Sequence, residues 1–86
     1  MKISVVIPLY NKEKYIRRTI LSVLNQETPA DEILVVDDGS TDNSASVVES
    51  IPNPIVHLIQ QNNAGEGAAR NQGVSVSNND IIAFLD

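Results

Sequence analysis

Four short apolar runs punctuate the chain: ISVVIPL at 3–9, EILVVD at 32–37, IVHLI at 55–59 and IIAFLD at 81–86. They are rich in β-branched residues and mostly continuous rather than alternating. That is the pattern of strands buried on both faces of a parallel sheet. The three intervening stretches have helical spacing. Over 12–26, Ile16, Ile20, Val23 and Leu24 fall on a single stripe, with Asn11 as candidate N-cap, Glu13 in the first turn and Pro29 closing the exit. A second helix, over about 42–50, opens after Ser40 and Thr41, either of which can cap it. It carries Ala45, Val48 and Ile51 on one face and stops at Pro52 and Pro54. The third, about 65–77, sets Ala69, Gly73 and Val76 on one side, small enough to lie close against a sheet.

The order is therefore β-α-β-α-β-α-β, spaced for right-handed crossovers. The fold class this predicts is α/β, with a doubly wound, mostly parallel, Rossmann-like sheet. Residues 1–86 form one domain, and no repeat, linker or low-complexity segment divides them.

Composition narrows the partners more than the fold. Aromatics make up only 3% of the chain, so the core must be aliphatic. A formal net charge of −5 argues against binding nucleic acid or an anionic lipid surface. It leaves room for a phosphate-bearing ligand, because a metal ion can bridge two sets of anions. With no cysteine, disulfides and thiolate metal sites are excluded. No stretch approaches a membrane span, and the N-terminal apolar run breaks at Pro8, which leaves the cytoplasm as the expected compartment. The chain stops at IIAFLD with no element after it to cover that run, as a portion of a larger domain would.

In open parallel sheets ligands sit outside the carboxyl ends of the strands. The residues there are Pro8-Leu9-Tyr10-Asn11, Asp37-Asp38-Gly39-Ser40, Gln60 to Gly65, and Asp86. Successive strand residues face opposite sides, so Asp37 and Asp38 need not repel head-on. One can cap the turn that Asp-Gly favours while the other faces the cleft. A carboxylate accepts hydrogen bonds, so Asp38 suits an N–H on a planar base or the hydroxyls of a ribose. Tyr10 offers a stacking face beside it, whereas Tyr15 reads as a packing residue inside the first helix.

GEGAARNQG at 65–73 follows the third strand, and Arg70 stands where a dinucleotide fingerprint needs its third glycine. Arg70 reads as a diphosphate contact or as the partner of Glu66 one turn away. Asp86, at the end of an apolar run, fits a divalent cation or a sugar hydroxyl, although such ions usually need more than one carboxylate. His57, among apolar neighbours, reads as a core or sheet-face residue without chemistry.

Taken together, VVIPLYNKEKYIRRTILSVLNQ, EILVVDDGSTDNS, NNAGEGAARNQGV and IIAFLD resemble the start of a family 2 glycosyltransferase of the GT-A fold, in order and in spacing. The resemblance implies transfer of a sugar from a nucleotide diphosphate donor, commonly UDP-linked, with inversion, to a saccharide or lipid-linked acceptor. It implies that Pro8 and Tyr10 border the base, that Asp38 binds it beside Gly39, and that Arg70 lies near the donor. Asp86 would open an Asp-x-Asp element that holds ribose or sugar and, through its last Asp, Mn2+ or Mg2+. That last Asp and the acceptor half with its general base are not in these 86 residues, so this stretch alone is expected to bind a nucleotide and not to catalyse transfer. A phospho-receiver would put its acidic pair after strand one, and a nucleotidylyltransferase would put a basic glycine loop there; neither occurs. A non-catalytic nucleotide-binding or scaffold domain is the remaining alternative.

Overall fold

The computed structural model describes residues 2–79 and 81–85. Its elements are β1 (Ile3–Leu9), α1 (Ile16–Leu24), β2 (Glu32–Asp37), α2 (Ser44–Glu49), β3 (Val56–Gln60), α3 (Glu66–Val76) and β4 (Ile81–Phe84). The four strands form one parallel sheet in the order β3-β2-β1-β4. The predicted α/β class and element order are therefore those of the structure.

Strand alternation divides the core between two layers. Val5, Ile7 and Leu9 of β1 and Ile33 and Val35 of β2 point to one face. They pack there with Ile16, Ile20 and Val23 of α1 and Val48 of α2. Val6, Leu34 and Val36 point to the other face, where Ala69 of α3 covers them. Each fully buried Val or Ile contributes on the order of 2 kcal/mol through removal of its surface from water. Gly73 explains how α3 gets close enough. A Cβ placed there would lie 2.4 Å from Cγ1 of Val6, far inside contact distance.

Only β1 and β2 are buried on both faces. β3 and β4, also expected to be so, form the edges of the sheet and are partly exposed, with Phe84 exposed and His57 standing on the open face. The reason is coverage: α3 packs mainly over β1 and β2. Helix starts differ too. α1 begins at Ile16 rather than at 12, after a tight turn in which Lys12 O accepts from the N–H groups of Tyr15 and Ile16. Neither Asn11 nor Ser40 or Thr41 caps a helix. These residues hold one loop to another, as described below.

Where β4 ends also shapes the rim. β4 pairs with Ile3 through Val6, and Leu85 N donates to Val6 O. On the opposite side Leu9 O accepts from Asp38 N. Alternate residues of a parallel strand address opposite neighbours, so Pro8 turns its ring nitrogen and its carbonyl toward the β4 side, past the last paired residue. A proline is tolerated in this central strand because no donor is needed there. A crevice opens beside it, at the point where the chain order reverses from β1–β2 to β1–β4.

Candidate nucleotide-binding cleft

That crevice is a cleft of about 710 Å3 whose lining includes Pro8, Tyr10, Lys12 and Tyr15 from β1 and the segment after it, and Asp38, Asn63, Gly65 and Glu66 from the segments after β2 and β3. Ile7, Leu9 and Ala69 also line it. Pro8, Tyr10 and Asp38 thus come to one cavity. Gly39 does not line it but sits against Asn63, which does. Arg70 is not among the lining residues; its guanidinium pairs with Glu66 one turn earlier, and Glu66 does line the cleft. Asp86 lies outside the described residues.

The two neighbouring aspartates have separate tasks. Asp37 Oδ1 accepts from Ser40 N at 3.0 Å and closes the turn after β2. Asp38, only 4% exposed, gathers the β3–α3 loop. Its Oδ1 accepts from Gln61 Nε2 at 2.9 Å and from Ala64 N at 2.8 Å. Its Oδ2 accepts from Gly65 N at 3.0 Å and from Asn63 Nδ2 at 3.3 Å. The side-chain bond from Gln61, then the backbone bonds from Ala64 and Gly65, hold its pKa below the ordinary 3.8 against the opposing effect of burial. It is therefore ionised at neutral pH. Four bonds fill the acceptor positions of a carboxylate, so a ligand N–H reaching Asp38 must replace a donor. The longest of the four, from Asn63, is the weakest held.

Gly39 lets Asn63 come this close to Asp38. Its φ of +77° suits glycine, and a Cβ there would stand 2.9 Å from Asn63 N. The β2 and β3 loops touch at this point.

The other half of the DDGSTDNS segment ties to the β1–α1 loop. Asn11 N donates to Ser40 Oγ at 2.9 Å, Lys12 N to Ser44 Oγ at 2.9 Å and Glu13 N to Asp42 Oδ2 at 3.3 Å. In return Asn11 Oδ1 accepts from Thr41 N at 2.8 Å and Asp42 N at 3.3 Å. Asp42 is held below its ordinary pKa, first by the Ser44 hydroxyl and then by backbone N–H groups. These ties are why Asn11 is no helix cap.

Three further wall residues are Lys12, not singled out from the sequence as a ligand residue, Asn63, noted there only within the loop from Gln60 to Gly65, and Tyr15, expected to pack inside the first helix. Tyr15 precedes α1 instead of packing within it, stands 54% exposed, and has the Arg18 guanidinium carbon 5.8 Å from its ring centroid. Proximity to a strand end was the signal available for Lys12 and Asn63. Among the described residues no three His, Cys, Asp or Glu side chains converge to hold a metal ion. Nor is any of their helices long and apolar enough to cross a membrane.

Comparison with known proteins agrees with this geometry. Residues 4–86 match the model of glycosyl transferase family 2. An uncharacterised glycosyltransferase of Nostoc is 46% identical over the whole chain, which spans 28% of that relative. The poly(ribitol-phosphate) β-N-acetylglucosaminyltransferase TarS of Staphylococcus aureus is 36% identical, and the chain spans 16% of it. The structure of a TarS portion in complex with UDP-GlcNAc superposes with a TM-score of 0.90 at 36% identity, covering all of this chain and 26% of that one. A mannosyltransferase of Pyrobaculum calidifontis, solved with GDP-Man and Mn2+, gives 0.83 at 27% identity over 94% of this chain and 26% of its own. Family match, relatives and GT-A neighbours coincide with the parallel sheet and its cleft: the chain belongs to glycosyl transferase family 2.

Proposed function

We propose that these residues form the donor-nucleotide half of a sugar transferase, and that the cleft receives the nucleoside of a UDP-sugar. The observation that carries the reading is the convergence of Pro8, Tyr10 and Asp38 on one cavity at the carboxyl ends of the strands. A base laid against Tyr10 buries a flat apolar face. Its ring N–H takes the place of the Asn63 amide on Asp38 Oδ2, which leaves the backbone bonds of Ala64 and Gly65 intact. The Pro8 carbonyl, turned to the β4 side, accepts from a ribose hydroxyl. Uracil suits the site because it offers a ring N–H to a carboxylate.

Lys12, on the cleft wall, offsets the negative charge of the diphosphate, and Arg70, on α3 and paired with Glu66 outside the lining, would join it only by exchanging that partner. The Mn2+ in the Pyrobaculum complex supports a divalent ion near the leaving group. The described residues do not assemble its ligands, so Asp86 is the candidate from this chain. When bound, such an ion would neutralise charge on the departing diphosphate. Inversion by direct displacement, with an acceptor saccharide, follows from the same reading and requires a base from elsewhere in the protein.

The test is calorimetric titration of the protein with UDP, with and without Mn2+. Tyr10→Ala should weaken UDP on the order of tenfold, the scale of one base–aromatic stack. Equal affinity in wild type and variant would remove the stacking face from the account.

A further inference from the structure

We infer that Asn11 and Ser44 are positioning residues for nucleotide binding, clamping the β1–α1 loop so that Tyr10 is held at the angle a base requires. The inference rests on the reading of Tyr10 as the stacking face.

Tyr10 is 46% exposed, and among the described residues no hydrogen bond to its hydroxyl fixes the ring, so its placement depends on the backbone that carries it. The backbone sets which rotamers of the ring reach the cleft. On its N-terminal side the backbone is fixed by Leu9, which is 1% exposed in the core and bonded to Asp38 N. On its C-terminal side the next residue, Asn11, has a φ of +49°, the left-handed region that side chains other than Asn and Asp rarely adopt. A backbone that turns this sharply beside a solvent-exposed ring would relax unless something held it.

The β2–α2 loop holds it. The Asn11 side-chain oxygen Oδ1 takes the N–H groups of Thr41 and Asp42, and three successive N–H groups, of Asn11, Lys12 and Glu13, are taken by Ser40, Ser44 and Asp42. Ser44, fully buried, also donates to Asp42, so the acceptors are themselves fixed. The donors and acceptors run in both directions between the two loops, which sets their register as well as their distance. The same β2–α2 segment begins with Asp38, the proposed base acceptor, whose donors come from the β3–α3 loop. One segment therefore fixes the spacing between stacking face and acceptor.

Three variants in the protein separate positioning from stability, with the UDP dissociation constant and the melting temperature measured for each. Asn11→Gly keeps the left-handed backbone accessible and removes the acceptor. It should weaken UDP on the order of tenfold. Asn11→Asp keeps both the acceptor and the tolerated backbone, and should return the affinity to within about threefold of wild type. Ser44→Ala, which frees Lys12 N, should fall between them. The decisive arm is a double-mutant cycle. In a Tyr10→Ala background, Asn11→Gly should cost no further affinity, because the ring it positions is gone. Losses that add, or an Asn11→Gly variant that melts lower yet binds UDP as wild type does, would overturn the clamp. A Tyr10→Ala variant that binds UDP normally would instead overturn the stacking reading, and the clamp with it.

Discussion

A buried carboxylate stands at each end of the sheet. At the amino end Glu32, 7% exposed, accepts from Ser4 Oγ at 2.7 Å and Asn78 N at 2.9 Å. At the carboxyl end Asp38 accepts from Gln61, Asn63, Ala64 and Gly65. Both tie a loop near α3 to the central strands, and both are held below their ordinary pKa by those bonds, Glu32 foremost by the Ser4 hydroxyl. Titration alone cannot tell them apart. The difference lies in what surrounds them. Glu32 and its partners line no part of the cleft, whereas Asp38, Asn63 and Gly65 share it with a tyrosine ring. A depressed carboxylate marks a well-bonded carboxylate. A functional site also needs open volume and a complementary surface.

The sharpest way to break this comparison is to remove each carboxylate in turn. Asp38→Ala should weaken UDP binding on the order of a hundredfold, since it deletes the base acceptor and releases the Asn63–Gly65 wall. Glu32→Ala should cost about 2 kcal/mol of stability, for the loss of bonds to a charged group, and leave the UDP dissociation constant within about twofold. Denaturant melts and calorimetry on the two variants read both effects. A Glu32→Ala variant that loses UDP binding at constant fold would mean that the two ends are not independent.

A smaller effect comes from acid. Each carboxylate has a folded-state pKa below its unfolded value, taken as the ordinary 3.8 for Asp38 and 4.5 for Glu32. Such groups stabilise the fold in full above the unfolded value and lose that contribution as pH falls through the folded one. Stability from this source should be level through neutrality and decline below about pH 4.5. Glu32→Gln should flatten part of that decline, which acid unfolding followed by circular dichroism would detect. A wild-type loss beginning above pH 6 would point to other groups.

The contrast between the sheet ends also shows what the chain discloses unaided. Continuous β-branched runs announced the strands, and the small side of α3 announced its close approach, because burial and period are local properties of the sequence. The same signal overstated β3 and β4. An apolar run looks alike in the middle of a sheet and at its margin, and only topology decides which strand has a neighbour. Strand ends directed attention to Pro8, Tyr10 and Asp38, and the cleft contains them. The clamp was illegible because Asn11, Ser40 and Thr41 each have a strong local reading as helix caps and Ser44 has no local signal, while their partners lie about 30 residues away in the chain.

Amide chemical-shift mapping during a UDP titration tests the central claim most directly. The account predicts that perturbations concentrate at Tyr10, Asp38, Gly39, Asn63 and Gly65 while Ser4, Glu32 and Asn78 stay still. Saturable shifts confined to the Glu32 end, or none at the rim at millimolar UDP, would contradict it.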